Sequence, residues 1–115
     1  MGFFSQLLSG GGISAQEAHE RIEQAHKQGD KIVVLDVRSA AEYKQVRIKG
    51  AKLLPVDEIS QRANKELPNK DVPILVYCQS GARASSAVRL LTSMGYEDVV
   101  SFGGIIQWPY ETTKG

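Results

Sequence analysis

A single cysteine, at position 78, is all the thiol chemistry that this 115-residue chain possesses. One thiol cannot close an internal disulfide, so the fold needs no covalent staple and suits a reducing compartment. Histidine is almost as scarce. His19 and His26 stand seven residues apart, two helical turns rather than the one turn that a helical metal pair requires. Both read as solvated side chains, and neither a metal nor an organic cofactor is expected. No apolar run approaches the ~20 residues that span a bilayer. The opening MGFFSQLLSGGG has no basic region ahead of its short, broken apolar part, unlike a signal peptide. Gln6 also stands where a myristoylation motif at Gly2 would carry Ser or Thr. Charge of one sign is missing as well: 14 Lys and Arg against 13 Asp and Glu leave a formal charge of +1. That balance gives no support to nucleic acid or an anionic membrane as a partner. The default expectation is a cytoplasmic protein.

What is present is an ordinary globular composition, 42% hydrophobic and 23% charged. At this length one domain can bury roughly two thirds of its unfolded surface. Residues 1–12 read as an extension, with Phe3, Phe4, Leu7 and Leu8 at helical spacing before a joint of Gly10, Gly11 and Gly12. A short packed turn is the simplest role for it, and a docking peptide or membrane foot the alternative. Residues 13–110 read as the domain and 111–115 as a tail.

Within the domain, Ser14 and Glu17 fit a capping box that opens an exposed helix closed by Gly29. Ile32 to Leu35 form an apolar, mostly β-branched run, as expected of a strand buried on both faces. Ser39 can cap a short helix over AAEYKQV. RIKGAKLLP then gives a turn, a short strand and a proline stop. Ile59, Ala63 and Leu67 share one stripe of a second helix. ILVYC, at 74–78, is the second strong strand. Ala84, Ala87, Val88, Leu91 and Met94 form the stripe of a third helix, with Gly95 placed to end it. DVVSF is a last strand, and GGIIQWPY closes the domain. Apolar strands alternating with amphipathic helices indicate a single α/β domain, with a mostly parallel sheet of about five strands covered on both faces.

The stretch PILVYCQSGARASS, at 73–86, carries the chemistry. Ligands of open parallel sheets gather beyond the carboxyl ends of the strands, where Cys78 lies. The helix that begins just after it offers unpaired N–H groups and partial positive charge, a setting that favours thiolate over thiol. Gly81, between the small Ser80 and Ala82, lets the backbone curl around a small object, and Arg83 adds a fork of donors. The reading is an ionised, exposed nucleophile in a ring of donors, set against a small anionic substrate. The bland alternative is a small buried hydrophobe at a strand end. Cysteine phosphatases close a similar cradle with five residues between Cys and Arg. Here there are four (Gln79, Ser80, Gly81, Ala82), and Tyr77 stands where a histidine would precede the cysteine. The shorter ring suits a compact group such as one sulfur atom.

Three stretches resemble those of single-domain rhodaneses, the thiosulfate-type sulfurtransferases: LDVRSAAEYKQVRIKGAKLLP, VYCQSGARAS and GYEDVVSFGGIIQW. The resemblance covers nearly everything from Ile13 to Tyr110. It implies that Cys78 takes a sulfane sulfur as a persulfide and passes it to cyanide, a thiol or a protein acceptor. The amides of Gln79, Ser80, Gly81, Ala82, Arg83 and Ala84 would surround that sulfur, with the Arg83 side chain holding the anionic donor. Asp36 and Arg38 would brace the adjoining loops, Arg38 pairing with Glu42 or both standing solvated, while Phe102 and Trp108 pack the core and lid. Two departures stand out. Val46 and Arg47 replace the usual Gly-His of the turn, which can alter the charge near the pocket. Gln79 replaces the basic residue many relatives carry after the cysteine, which disfavours thiosulfate as donor. Two competing functions remain: a non-catalytic rhodanese-like binding module, and a phosphatase or arsenate reductase acting through the same thiol.

Overall fold

The computed structural model describes residues 12–115. The segment Phe3 to Leu8 therefore lies outside the described residues. Four parallel strands form the central sheet: β1 (Val33–Asp36), β3 (Lys52–Leu53), β4 (Ile74–Cys78) and β5 (Val99–Gly104), in the order β3-β1-β4-β5. The strand β2 (Arg47–Ile48) stays out of this sheet. It pairs antiparallel with β6 (Thr112–Thr113), drawing residues of the expected tail against the domain. The parallel sheet thus has four strands, with a separate two-stranded ribbon beside it.

Side-chain alternation along β4 divides the core. Ile74, Val76 and Cys78 face one side, joined by Leu35 and Val37. Leu75 and Tyr77 face the other, with Val34, Val100 and Phe102. This two-sided burial is the reason that the strands read as continuous apolar runs. On the first side lie α3 (Ile59–Glu66) and α4 (Ala82–Ser93), through Ile59, Ala63, Ala84, Ala87 and Leu91. The expected stripes are the buried ones, with Leu67 buried and Val88 and Met94 packed at the edge. The other side is covered by Ala18 and Ile22 of α1 (Ala15–Gln28), by Tyr43 of α2 (Ala40–Gln45) and by Ile48, Ile105 and Trp108.

The caps follow local chemistry. Gly29 ends α1 with φ of 73°, in the left-handed region where a Cβ is costly. The Ser14 hydroxyl accepts the Glu17 N–H, but the Glu17 carboxylate turns to Arg21 at 2.9 Å. The complete reciprocal box forms instead at Ser39 and Glu42, opening α2. His26 is exposed, whereas His19 is half-buried and stacks on Tyr110 with centroids 3.8 Å apart. The expectation of two solvated histidines therefore holds for one; a planar ring on the inner side of α1 is covered when the chain after β5 returns across it. No helix among the described residues is long and apolar enough to cross a membrane.

Tyr96 fastens α3 to the strand-side turn. Its buried hydroxyl donates toward the carbonyls of Leu67 at 2.6 Å and Ala63 at 3.0 Å, two acceptors from the last turn of the helix. Tyr96→Phe removes that donor and keeps the ring. It is expected to lower unfolding free energy by about 1–2 kcal/mol, read from urea denaturation.

Candidate active site

The last residue of β4 and the first turn of α4 make the site. Gly81 is the N-cap of α4, with φ of 125°. The first intrahelical bond runs from Ser85 N–H to Gly81 C=O. The N–H groups from Gly81 to Ala84 therefore precede the helical ladder. Two of them turn back onto the cysteine: Gly81 N lies 3.0 Å and Ala84 N 3.4 Å from Cys78 Sγ. Positive ends of peptide dipoles thus meet the sulfur, which is the local field expected from a thiol at a helix start. Exposure is a correction. Cys78 is 1% exposed, because its side chain falls on the α3/α4 side of the sheet between Val76 and Ala84 rather than out of the turn. Gln79 and Ser80 are exposed and form the outer surface of the loop.

A bulge between Val76 and Cys78 shifts the register of β4 on β5, setting Cys78 opposite Gly104. There the loop lies directly on the glycine. A Cβ built on Gly104 would overlap the carbonyl of Gln79 and the Cα of Ser80. The Gly103-Gly104 pair is the end of β5, and Gly104 is the floor of the cysteine loop. Ile106 N–H, at 3.4 Å from the Gln79 carbonyl, ties the same surfaces together. A groove of about 920 Å³ between the start of α1, α4 and β5 reaches the rim of the loop at Gly81 and Ala82, and Cys78 is not among its lining residues.

Asp36 and Arg38 form a buried hydrogen-bonded network beside the loops. The Asp36 carboxylate accepts Arg38 N–H and Nε–H on Oδ1, at 2.9 and 3.0 Å, and Nη2–H on Oδ2 at 2.7 Å. Tyr77 adds its hydroxyl to Oδ2 at 2.6 Å and accepts the Ile48 N–H at 3.1 Å. From the same guanidinium, Nη2 reaches the Val46 carbonyl at 2.6 Å, and Nη1 lies 3.5 Å from Gln79 Oε1. Burial works against the charged form of Arg38, and the hydrogen bonds and charge of Asp36 more than offset it, raising its pKa. Desolvation and the bond to Asp36 push the Tyr77 hydroxyl far up, so it stays a donor. No buried side-chain nitrogen or oxygen among the described residues lacks a partner.

The expected Arg38–Glu42 pair does not form, since Asp36 is two residues from Arg38 and already occupies its fork. Glu42 instead receives Arg83 bidentately, Nη1 at 2.8 Å and Nη2 at 2.9 Å. Arg83 thereby reaches across from α4 to the first turn of α2. The signal for Glu42 was present in the Ser39-x-x-Glu42 box, but its partner lies 41 residues away in sequence. Hydrogen bonding from Arg83 holds the Glu42 carboxyl at about 2, with the Ser39 amide and hydroxyl acting in the same sense. Arg83 is raised first by Glu42, and the nearby Cys78 adds to this. Arg47 lies over the Tyr43 ring at 4.5 Å and donates to Gly115 O at 2.8 Å, so its charge is directed toward the chain end. Phe102 is buried and Trp108 packs against it at 5.3 Å, as core and cover.

Fold and site together define an α/β domain that presents a thiol to the amides of a helix start. The chain belongs to the rhodanese family: the rhodanese-like domain model matches residues 14–109. It is 32% identical over 81 residues to the thiosulfate sulfurtransferase PspE of Escherichia coli, covering 70% of this chain and 78% of that protein. A sulfurtransferase of Allochromatium vinosum is 37% identical over 90 residues, covering 77% and 82%. The solution structure of a rhodanese-like domain from Anabaena superposes with a TM-score of 0.78 at 30% identity, covering 90% of this chain and 79% of that one. Other matched relatives are longer, the chain spanning 26% of their length.

Two outcomes test this geometry. Arg38→Met strands the Asp36 carboxylate in the core and is expected to cost about 3–5 kcal/mol of stability, measured by denaturant midpoint. For Glu42, the folded pKa of about 2 lies below the ordinary 4.5. Its pair with Arg83 therefore contributes stability fully above the ordinary value, and loses it as pH falls from there toward 2. The melting-temperature gap between the parent and Glu42→Gln is expected to be constant at neutral pH and to close across that acid window.

Proposed function

We propose that the protein is a sulfurtransferase in which Cys78 carries sulfur as a persulfide. The observation that carries this reading is the pair of backbone amides, Gly81 and Ala84, aimed at Cys78 Sγ. A structural cysteine has no use for N–H donors, whereas an anionic sulfur is stabilised by them. In the first half-reaction the thiolate attacks the outer sulfur of a sulfane donor. A sulfur–sulfur bond forms at Cys78 as the donor's own breaks, and the donor's remainder departs with that electron pair, as sulfite when the donor is thiosulfate. In the second, an acceptor thiolate or cyanide attacks the outer persulfide sulfur and the Cys78 thiolate leaves. No external oxidant or reductant is required. This is ping-pong covalent catalysis.

The Ala82 and Arg83 amides, also ahead of the helical ladder, are assigned to the outer sulfur, and the exposed side of the loop at Gln79 and Ser80 to donor entry. The names of the E. coli and A. vinosum relatives support the reaction class. The acceptor we assign is a thiol, free or on a protein, in a cytoplasmic setting that keeps the lone cysteine reduced.

Intact-mass analysis after incubation with a panel of sulfane donors tests the reading. One adduct of about 32 Da, a single sulfur atom, is expected on the parent, lost on reduction and absent from Cys78→Ala. No adduct with any donor would leave a binding module. Turnover of an aryl phosphate or arsenate exceeding sulfur transfer would overturn the reaction class.

A further inference from the structure

Both guanidinium groups beside the cysteine loop are taken by carboxylates. Arg38 is gripped by Asp36 inside the core, at 2.7 to 3.2 Å. Arg83, on the first turn of α4, gives both Nη atoms to the two oxygens of Glu42. The residue after the cysteine, Gln79, brings no charge, and its side-chain oxygen Oε1 faces Arg38. A doubly charged inorganic donor approaching Cys78 therefore meets no unengaged guanidinium in this loop. It would have to displace a bidentate carboxylate whose own geometry is secured by the Ser39 capping box. A donor sulfur borne on an organic thiol needs no such charge, because the amides already address the reacting sulfur.

We propose that Glu42 is a specificity-determining residue. By occupying the Arg83 fork it withholds that charge from inorganic dianions and directs the site to persulfides carried on organic thiols. The proposal rests on the sulfurtransferase reading for its second half, and the effect on dianion binding stands apart from it. With a thiol persulfide, the Cys78 thiolate attacks the outer sulfur, the donor's sulfur–sulfur bond breaks, and the donor leaves as its thiolate while the transferred sulfur keeps its proton or charge. Glu42 does not touch the reacting atoms. It acts through Arg83.

The test separates the two claims. In a Cys78→Ser background, which cannot take up sulfur, sodium thiosulfate is titrated calorimetrically into proteins with and without Glu42→Gln. Glutamine keeps the oxygen acceptor that the helix cap uses, so the fold is retained. The expected result is a dissociation constant lower by about tenfold or more in Glu42→Gln, the size of a recovered hydrogen bond to a charged group. Adding Arg83→Gln is expected to abolish that gain, and Glu42→Asp, which keeps the carboxylate, to bind like the parent. Glu42→Ala serves as a second variant in the same titration. An unchanged constant, or no binding by either protein, overturns the proposal.

With Cys78 intact, KM for thiosulfate is expected to fall in Glu42→Gln while KM for the persulfide of a neutral thiol stays put, a split that mere loosening of the fold would not produce. Equal changes for both donors also overturn it. If Cys78 forms no persulfide with either donor, the sulfurtransferase reading fails, and the titration still decides the role of Glu42 toward dianions.

Discussion

The Asp36–Arg38 pair is the constraint on which the rest of the site depends. A carboxylate 0% exposed and a guanidinium 2% exposed are each expensive to remove from water. The cost is met because every arm is used, on the carboxylate by the Arg38 amide and the Tyr77 hydroxyl, on the guanidinium by the Val46 carbonyl. Those partners belong to the end of β1, the strand that delivers the cysteine, and the exit from α2. One buried ion pair thus fastens the exit from α2 to the ends of two strands that the sheet already pairs. The side chain of Gln79 extends the same network to the loop itself.

On the opposite face of β4 the requirement is different. Cys78 has donors close to its sulfur and no bulk beneath its loop. The first comes from the unpaired amides of a helix start, capped by a glycine that tolerates φ of 125°. The second comes from Gly104, where the strand β5 gives up a side chain so that the loop backbone can lie upon it. The bulge in β4 makes the two coincide. Alternation along the strand then assigns Tyr77 to the buried ion pair and Cys78 to the helix, so one β-strand serves both halves of the site.

Charge neutralisation is the other organising feature. Two carboxylates engage the two arginines beside the cysteine loop. The pair on the Asp36 side is buried and structural. The Glu42–Arg83 pair is half-exposed, with side chains 30% and 39% accessible, so salt and solvent screen it and its energetic contribution is modest. A modest interaction can be displaced or removed without loss of the fold, which makes it suited to tuning what binds.

Much of this was readable along the chain. Ile59, Ala63 and Leu67, or Ala84, Ala87 and Leu91, declare their buried faces by spacing, because helical periodicity is a local property. The same holds for Gly29 and Gly95, for the Ser39 cap, and for a thiol placed at a strand-to-helix turn followed five residues on by an arginine. What tertiary structure decided was pairing across distance: Arg83 with Glu42, Tyr77 with Asp36, Gly104 beneath Gln79, Arg47 and Ile48 with the final residues, His19 against Tyr110. It also decided that the thiol is covered, since the face on which a strand-end side chain falls depends on register and bulge. Local sequence determines which backbone and side-chain states are available, whereas partners as distant as Arg47 and Gly115, 68 residues apart, are selected only when the sheet closes and brings their elements together.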